Sequence, residues 1–206
     1  MRLYGHLRSF ATWRVRIALA LKDLDVTLVE QLAPGDEFAP AGQAPADPQN
    51  MIPVLETNDG LRLSQSLAIV EWLEEMWPSP ALLPPEPTRR ARIRAFALAS
   101  AGDMHSLPTE RSLAQLQNLG LPEPPLRAWA RQALSGGLET CEALLDPTAG
   151  PFCFGDTPGL ADLCLVPQLA MARQFGVSMS FPRLLAAEAA CLTLPAFQVS
   201  RPLALP

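Results

Sequence analysis

Lysine is almost missing from this 206-residue chain: Lys22 stands alone, and the formal net charge is −5. That balance supplies no broad positive field of the kind nucleic-acid binding needs. Histidine is scarce as well, with only His6 and His105. The four cysteines, Cys141, Cys153, Cys164 and Cys191, are widely spaced and form no CxxC pair. A zinc site would have too few ligands at workable spacing, so no metal is expected. The cysteines read instead as core fillers of a reduced, cytosolic protein. No apolar run reaches membrane-spanning length. The opening residues, Met1 to His6, turn polar too soon for a secretory leader. The expectation is a cytoplasmic protein with neither nucleic acid nor membrane as partner.

What the chain does have is apolar mass, 49% hydrophobic against 18% charged residues. That is enough for one large core or two modest ones. The first third alternates. Arg2 to Tyr4 reads as a strand and the segment from Thr12 to Lys22 as a helix. Val26 to Leu32 follows as a second strand, parallel to the first if the helix is the crossover. Pro34 to Pro48 is loop-like. Pro53 to Thr57 and Leu61 to Leu63, joined by Asn58-Asp59-Gly60, give a hairpin signal. Ser64-Gln65-Ser66 then opens a helix with Leu67, Val70, Leu73 and Trp77 at helical spacing, and Glu71, Glu74 and Glu75 among its polar positions.

A proline-rich linker spans Pro78 to Pro87. Beyond it lie only helical patterns: Arg89 to His105, Pro125 to Leu145, Leu160 to Phe175 and Phe181 to Cys191. Two domains are expected, a mixed α/β one over 1–80 and an all-helical one over 88–206. The arginine cluster Arg89, Arg90, Arg92 and Arg94 opens a helix and reads as a solvated face. Basic residues in a first turn oppose the helix dipole, which leaves room for a partner carboxylate.

Three short segments carry chemistry. Arg8 and Ser9 sit in the turn before the first helix, where free N–H groups and the dipole favour an anion. Ser9 is equally suited to capping that helix. Ile52-Pro53 precedes a strand, where a proline belongs because it cannot donate to the ladder. Its peptide bond is open to either isomer. Gln65-Ser66 stands at another helix start, able to hold a carboxylate or simply to act as a cap.

Taken together, these blocks resemble the cytosolic glutathione transferases, closest to the zeta class with its maleylacetoacetate and maleylpyruvate isomerases. The likeness rests on Trp13-Arg14-Val15-Arg16-Ile17-Ala18-Leu19-Ala20-Leu21-Lys22 and on Gln65-Ser66-Leu67-Ala68-Ile69-Val70-Glu71-Trp72-Leu73-Glu74-Glu75. A third block runs from Phe154-Gly155-Asp156 through Leu160 to Gln168, and Ala196-Phe197-Gln198 echoes the class C-terminus. The resemblance implies a thioredoxin-like domain, an all-α domain and a homodimer. It implies glutathione as a bound cofactor that isomerisation does not consume. Gln65 and Ser66 would hold its γ-glutamyl end, and Ile52 would pair its cysteinyl backbone ahead of a cis-Pro53.

Ser9 would donate to the thiolate. A free thiol ionises with a pKa of about 8.5. Lowering that by two units takes roughly 2.7 kcal/mol of preferential anion stabilisation, within reach of a hydroxyl and a helix N-terminus. The thiolate would add to the cis double bond of a maleyl-type acid and leave again after rotation. Arg8 would anchor a substrate carboxylate and the charge developing beside it.

Departures from the class pattern concern the substrate side. The class usually reads Ser-Ser-Cys-Ser, where this chain has Ser9, Phe10, Ala11 and Thr12. Phe10 would dry and narrow the site entrance. Gln174 stands where relatives carry an arginine, with Arg173 one residue earlier. One residue turns a side chain by about 100° on a helix. His105 matches a histidine of the maleylpyruvate enzyme and is either a substrate contact or a structural residue. Thr109 replaces an asparagine. These changes suit a substrate with fewer charges. The expected activity is glutathione-dependent cis–trans isomerisation of an unsaturated carboxylic acid. The alternatives are conjugation of glutathione to small electrophiles, isomerisation of a longer polyene, or a non-catalytic binding protein. One further departure is structural: Gly159 takes the capping position normally held by Ser or Thr, at an expected cost of a few tenths of a kcal/mol.

Overall fold

A computed structural model describes residues 1–31, 51–145 and 150–202. The loop expected at 34–48 lies outside the described residues. The chain divides into two compact units, Met1–Ala81 with a C-terminal segment starting at Leu194, and Leu82–Thr193.

The first unit follows the order β1 (Arg2–Gly5), α1 (Phe10–Leu21), β2 (Thr27–Glu30), β3 (Val54–Glu56), β4 (Arg62–Ser64) and α2 (Ser66–Met76). The sheet order is β2-β1-β3-β4. β1 and β2 are parallel with α1 as crossover, while β3 pairs antiparallel with both β1 and β4. This is the expected thioredoxin-like α/β arrangement. Its core draws Leu3, Val54 and Leu55 from the sheet, Val15, Ile17 and Ala18 from α1, and Ile69, Val70 and Leu73 from α2. Removing these apolar surfaces from water is the main force holding the layers together.

Among the polar positions of α2, Glu74 is buried and meets the single lysine: Lys22 Nζ lies 2.8 Å from Glu74 Oε2. The same ammonium donates to the carbonyls of Trp77 at 2.6 Å and Pro80 at 2.9 Å. Three donors find three acceptors where α2 ends.

The second unit is built from α3 (Pro87–Leu98), a π-helical turn (Ala99–Met104), α4 (Glu110–Asn118), α5 (Glu123–Leu144), α6 (Leu160–Gln174) and α7 (Pro182–Leu192). α3 begins with the arginine cluster, and the opposing dipole is met by Glu86. Its carboxylate accepts from the N–H groups of Thr88 at 2.7 Å and Arg89 at 2.6 Å. α4 carries no helix pattern in the sequence reading because it buries no residue at all. α6 is the central helix, buried from Leu160 through Leu169 and continuous through Pro167.

At the start of α6, Asp162 Oδ2 accepts from Gly159 N at 2.9 Å, and Oδ1 accepts from Cys153 N at 2.9 Å. Burial pushes the Asp162 carboxyl above the usual range, while those two N–H groups pull it back. A Cβ on residue 159 would lie 2.8 Å from the Leu82 carbonyl oxygen. Glycine is therefore required by close approach, and a serine there would gain a cap only by displacing backbone.

The chain ends in α8 (Pro195–Val199), which packs on α1 in the first unit. Trp13 Nε1 donates to Ser200 Oγ at 3.2 Å, fixing that return.

Candidate active site

Strand register gathers the candidate residues of the first unit at one end of its sheet. Tyr4 pairs with Val54, and Val54 with Ser64. The C-terminal end of β1, the N-terminal end of β3 and the C-terminal end of β4 therefore coincide. The turn carrying Arg8 and Ser9 leaves β1 there, Ile52-Pro53 enters β3 there, and Gln65-Ser66 leaves β4 there. Two helix N-termini, those of α1 and α2, open at this end, and both favour negative charge.

The first turn is compact because Gly5 ends β1. A Cβ on Gly5 would come within 2.5 Å of the Thr12 side chain, which is fully buried in the first turn of α1. Ser9 N donates to His6 O at 3.0 Å, and Leu7 N donates to Glu30 Oε1 at 3.3 Å. Ser9 is the N-cap of α1, its Oγ accepting from Thr12 N at 3.2 Å. Capping uses a lone pair, so the hydroxyl hydrogen remains available to a thiolate. The capping role and the donor role are compatible. Arg8 is exposed, and among the described residues its guanidinium has no hydrogen-bond or ionic partner. Phe10, the first residue of α1, is buried at 8% exposure.

The Ile52–Pro53 peptide is cis. Gln65 adopts φ 67° and ψ 111°, a backbone region that L-residues rarely enter. Such a conformation costs on the order of 1–3 kcal/mol and persists where surrounding structure over-determines it, often at ligand clamps. Beside it, Ser66 Oγ accepts from Nη1 of Arg14 at 2.6 Å. Arg14 is fully buried. Sequence reasoning passed over this residue, although the signal was present: Arg14 repeats at helical spacing with Phe10, Ile17, Ala18 and Leu21, a face that is otherwise apolar.

Residues 3–81 match the family of glutathione S-transferase N-terminal domains, and residues 109–187 match the corresponding C-terminal domains. A maleylpyruvate isomerase of Ralstonia sp is 41% identical over 100% of this chain and 99% of its own length. The chain belongs to the zeta-class glutathione transferases. A holo structure of maleylpyruvate isomerase, a bacterial zeta-class enzyme, is 40% identical with TM-score 0.91, covering 100% of this chain and 99% of that one. A maleylacetoacetate isomerase of Methylobacterium extorquens AM1, solved with malonate and glutathione bound, is 38% identical with TM-score 0.90 over 100% and 98% of the two chains.

The remaining candidates of this zeta-class chain lie in its second unit. His105 follows the π-helical turn, and its Nδ1 lies 2.8 Å from Gln168 Oε1 on α6. Thr109 is the N-cap of α4. Its Oγ1 accepts from Ser112 N at 3.2 Å and lies 2.9 Å from Ser112 Oγ, so the hydroxyl is engaged in local structure. Arg173 forms a two-pronged ion pair with Glu188 of α7, with Nη1 2.6 Å from Oε1. Gln174 is the last, half-buried residue of α6. Arg173 and Gln174 are adjacent in sequence, but only Arg173 is tied to α7 in this way.

The first-unit residues fit glutathione chemically. A hydroxyl and helix N–H groups suit a carboxylate, while Ile52, beyond the last paired residue of β3, suits a peptide backbone. The Ser9 turn suits an anionic sulfur.

Proposed function

We propose that this chain catalyses glutathione-dependent cis–trans isomerisation of an unsaturated carboxylic acid of the maleylacetoacetate or maleylpyruvate type. The observation that carries this reading is the shared sheet end of Ser9, Pro53, Gln65 and Ser66, with Arg8, whose guanidinium has no partner among the described residues, in the same turn. When bound, glutathione supplies a thiolate that adds to the double bond and departs after rotation. Ser9 donates its hydroxyl hydrogen to that sulfur while its lone pair caps α1. Ser66, held by Arg14, directs its own O–H toward the γ-glutamyl carboxylate, and Gln65 is placed to meet the neighbouring amine. Ile52 aligns the cysteinyl backbone. Arg8 holds a substrate carboxylate and stabilises charge as it develops.

The ion pair of Arg173 with Glu188 favours a narrower reading of the substrate. With that guanidinium occupied and Gln174 neutral, the second unit offers weaker recognition of a second carboxylate. His105, Thr109 and Phe10 complete the substrate side in this reading, which extends to less polar, longer polyene acids. Conjugation to small electrophiles would use the same sulfur. The reading includes a homodimer in the cytoplasm; four free, buried cysteines support a reducing compartment.

The test is ultraviolet loss of maleylacetoacetate and maleylpyruvate with and without glutathione. Rapid turnover that requires glutathione is expected. Retention on immobilised glutathione without turnover of either acid would redirect the search to other unsaturated substrates. Failure to bind glutathione at all would overturn the enzymatic reading.

A further inference from the structure

Gln168 is an amide in the middle of a buried helix. It is fully buried, flanked by Pro167 and Leu169, and its Nε2 has no hydrogen-bond partner among the described residues. Burying an amide with half its capacity unused costs stability, whereas a methionine of similar length would fill the space without that penalty. What the side chain does make is one bond, from its Oε1 to Nδ1 of His105 at 2.8 Å. His105 is half-buried and comes directly after the π-helical turn Ala99–Met104. Turns of this kind reset the direction of the following residue and occur often at functional sites.

We propose that Gln168 is a positioning residue for His105. A carbonyl oxygen can only accept, so the ring nitrogen facing it carries the proton. That fixes the Nδ1–H tautomer and leaves the lone pair of the neutral ring on Nε2. It also restrains ring rotation. An imidazole held this way presents one defined acceptor atom to an O–H of the substrate, such as an enol, and does not divide its population between two tautomers. The proposal rests on the reading above in which His105 meets the substrate, and it supplies the reason an amide is kept inside α6.

With only two histidines in the chain, the ring nitrogens can be read directly. The full chain is labelled with ¹⁵N-histidine, and a His6→Gln variant assigns the spectrum. Long-range ¹H–¹⁵N shifts report the tautomer in the wild type, in Gln168→Met and in Gln168→Glu, which keeps an acceptor oxygen. The wild type and Gln168→Glu are expected to hold the Nδ1–H form. Gln168→Met is expected to shift toward Nε2–H, keep or raise its thermal midpoint, and lose roughly tenfold to a hundredfold in kcat/KM.

A wild-type ring protonated on Nε2 would overturn the proposal, as would an unchanged tautomer in Gln168→Met. A changed tautomer with unchanged kcat/KM would leave Gln168 orienting the ring but overturn its service to the reaction. That outcome would also remove His105 from the substrate side while glutathione dependence stood. If Gln168→Met fails to fold, Gln168→Leu gives the same readout.

Discussion

Nη1 of Arg14 donates to Ser66 Oγ at 2.6 Å, joining the buried face of α1 to the first residue of α2. The bond occupies one lone pair of the serine and leaves its O–H able to donate to a ligand. A charge-assisted bond of this kind is worth about 1.5–3 kcal/mol. Arg14→Met should therefore raise the glutathione Kd by roughly tenfold or more while the fold survives, because a well-packed apolar side chain can replace a buried charge. Calorimetric titration measures this. An unchanged Kd would mean that α2 holds the carboxylate by its N–H groups alone.

Ser9 has two duties that substitution can separate. Ser9→Ala removes both cap and hydroxyl and should cost about 1 kcal/mol of stability, whereas Ser9→Gly should cost only a few tenths. Both should raise the pH at which bound glutathione ionises, followed by thiolate absorbance. An unshifted titration in the glycine variant would take Ser9 out of sulfur activation.

Lys22 has no substitute elsewhere in the chain. Its side chain is 0% exposed, and Lys22→Met would take the ammonium away from Glu74 and from two carbonyl groups. Removing one partner of a buried pair costs about 3–5 kcal/mol. Urea unfolding should show a lowered midpoint of that order, and a loss below about 1 kcal/mol would mean that water reaches Glu74.

The buried thiols predict an alkaline limit. Burial pushes Cys141 up to about 12 from its ordinary 9.0. Burial first, and then the Asp162 carboxylate, drives Cys153 and Cys191 upward as well. Each folded pKa lies above its unfolded value, so the unfolded chain loses its thiol protons first. The stabilisation is complete below about pH 9 and is lost as pH rises toward about 12. Urea midpoints should fall across that window. At neutral pH, thiol reagents should modify the native protein only as it unfolds.

Gln174→Arg tests the substrate-charge argument. With Arg173 already committed to Glu188, the new guanidinium should improve kcat/KM for maleyl diacids about tenfold and leave neutral enones unchanged. Equal effects on both would show that residue 174 acts through packing.

Much of the fold was legible in advance because its signals are local. The β-α-β start, the hairpin around Asn58-Asp59-Gly60 and the helix after Gln65 follow from period and turn chemistry. α4 was missed because it carries only two apolar leucines, Leu113 and Leu116, both half-buried, and none of its residues is fully buried. The burial of Glu74 was not legible because its partner lies 52 residues away at Lys22. Arg14 and Gln168 escaped notice for the same reason: a polar residue at a core position is explained only by what it touches. Arg173 was recognisable as displaced by one residue, but its pairing with Glu188 was not.

By itself the amino-acid sequence determined the two-part architecture, the family and the residue types of the glutathione side. Periodicity, proline placement and contiguous motifs are properties of neighbouring residues. Tertiary structure decided which polar groups are spent and which remain for a ligand. It gave Ser66 to Arg14, Arg173 to Glu188 and His105 to Gln168, and it left Arg8 without a partner among the described residues. Hydrogen bonds and ion pairs form across space at ångström distances, so only the folded chain could make those assignments.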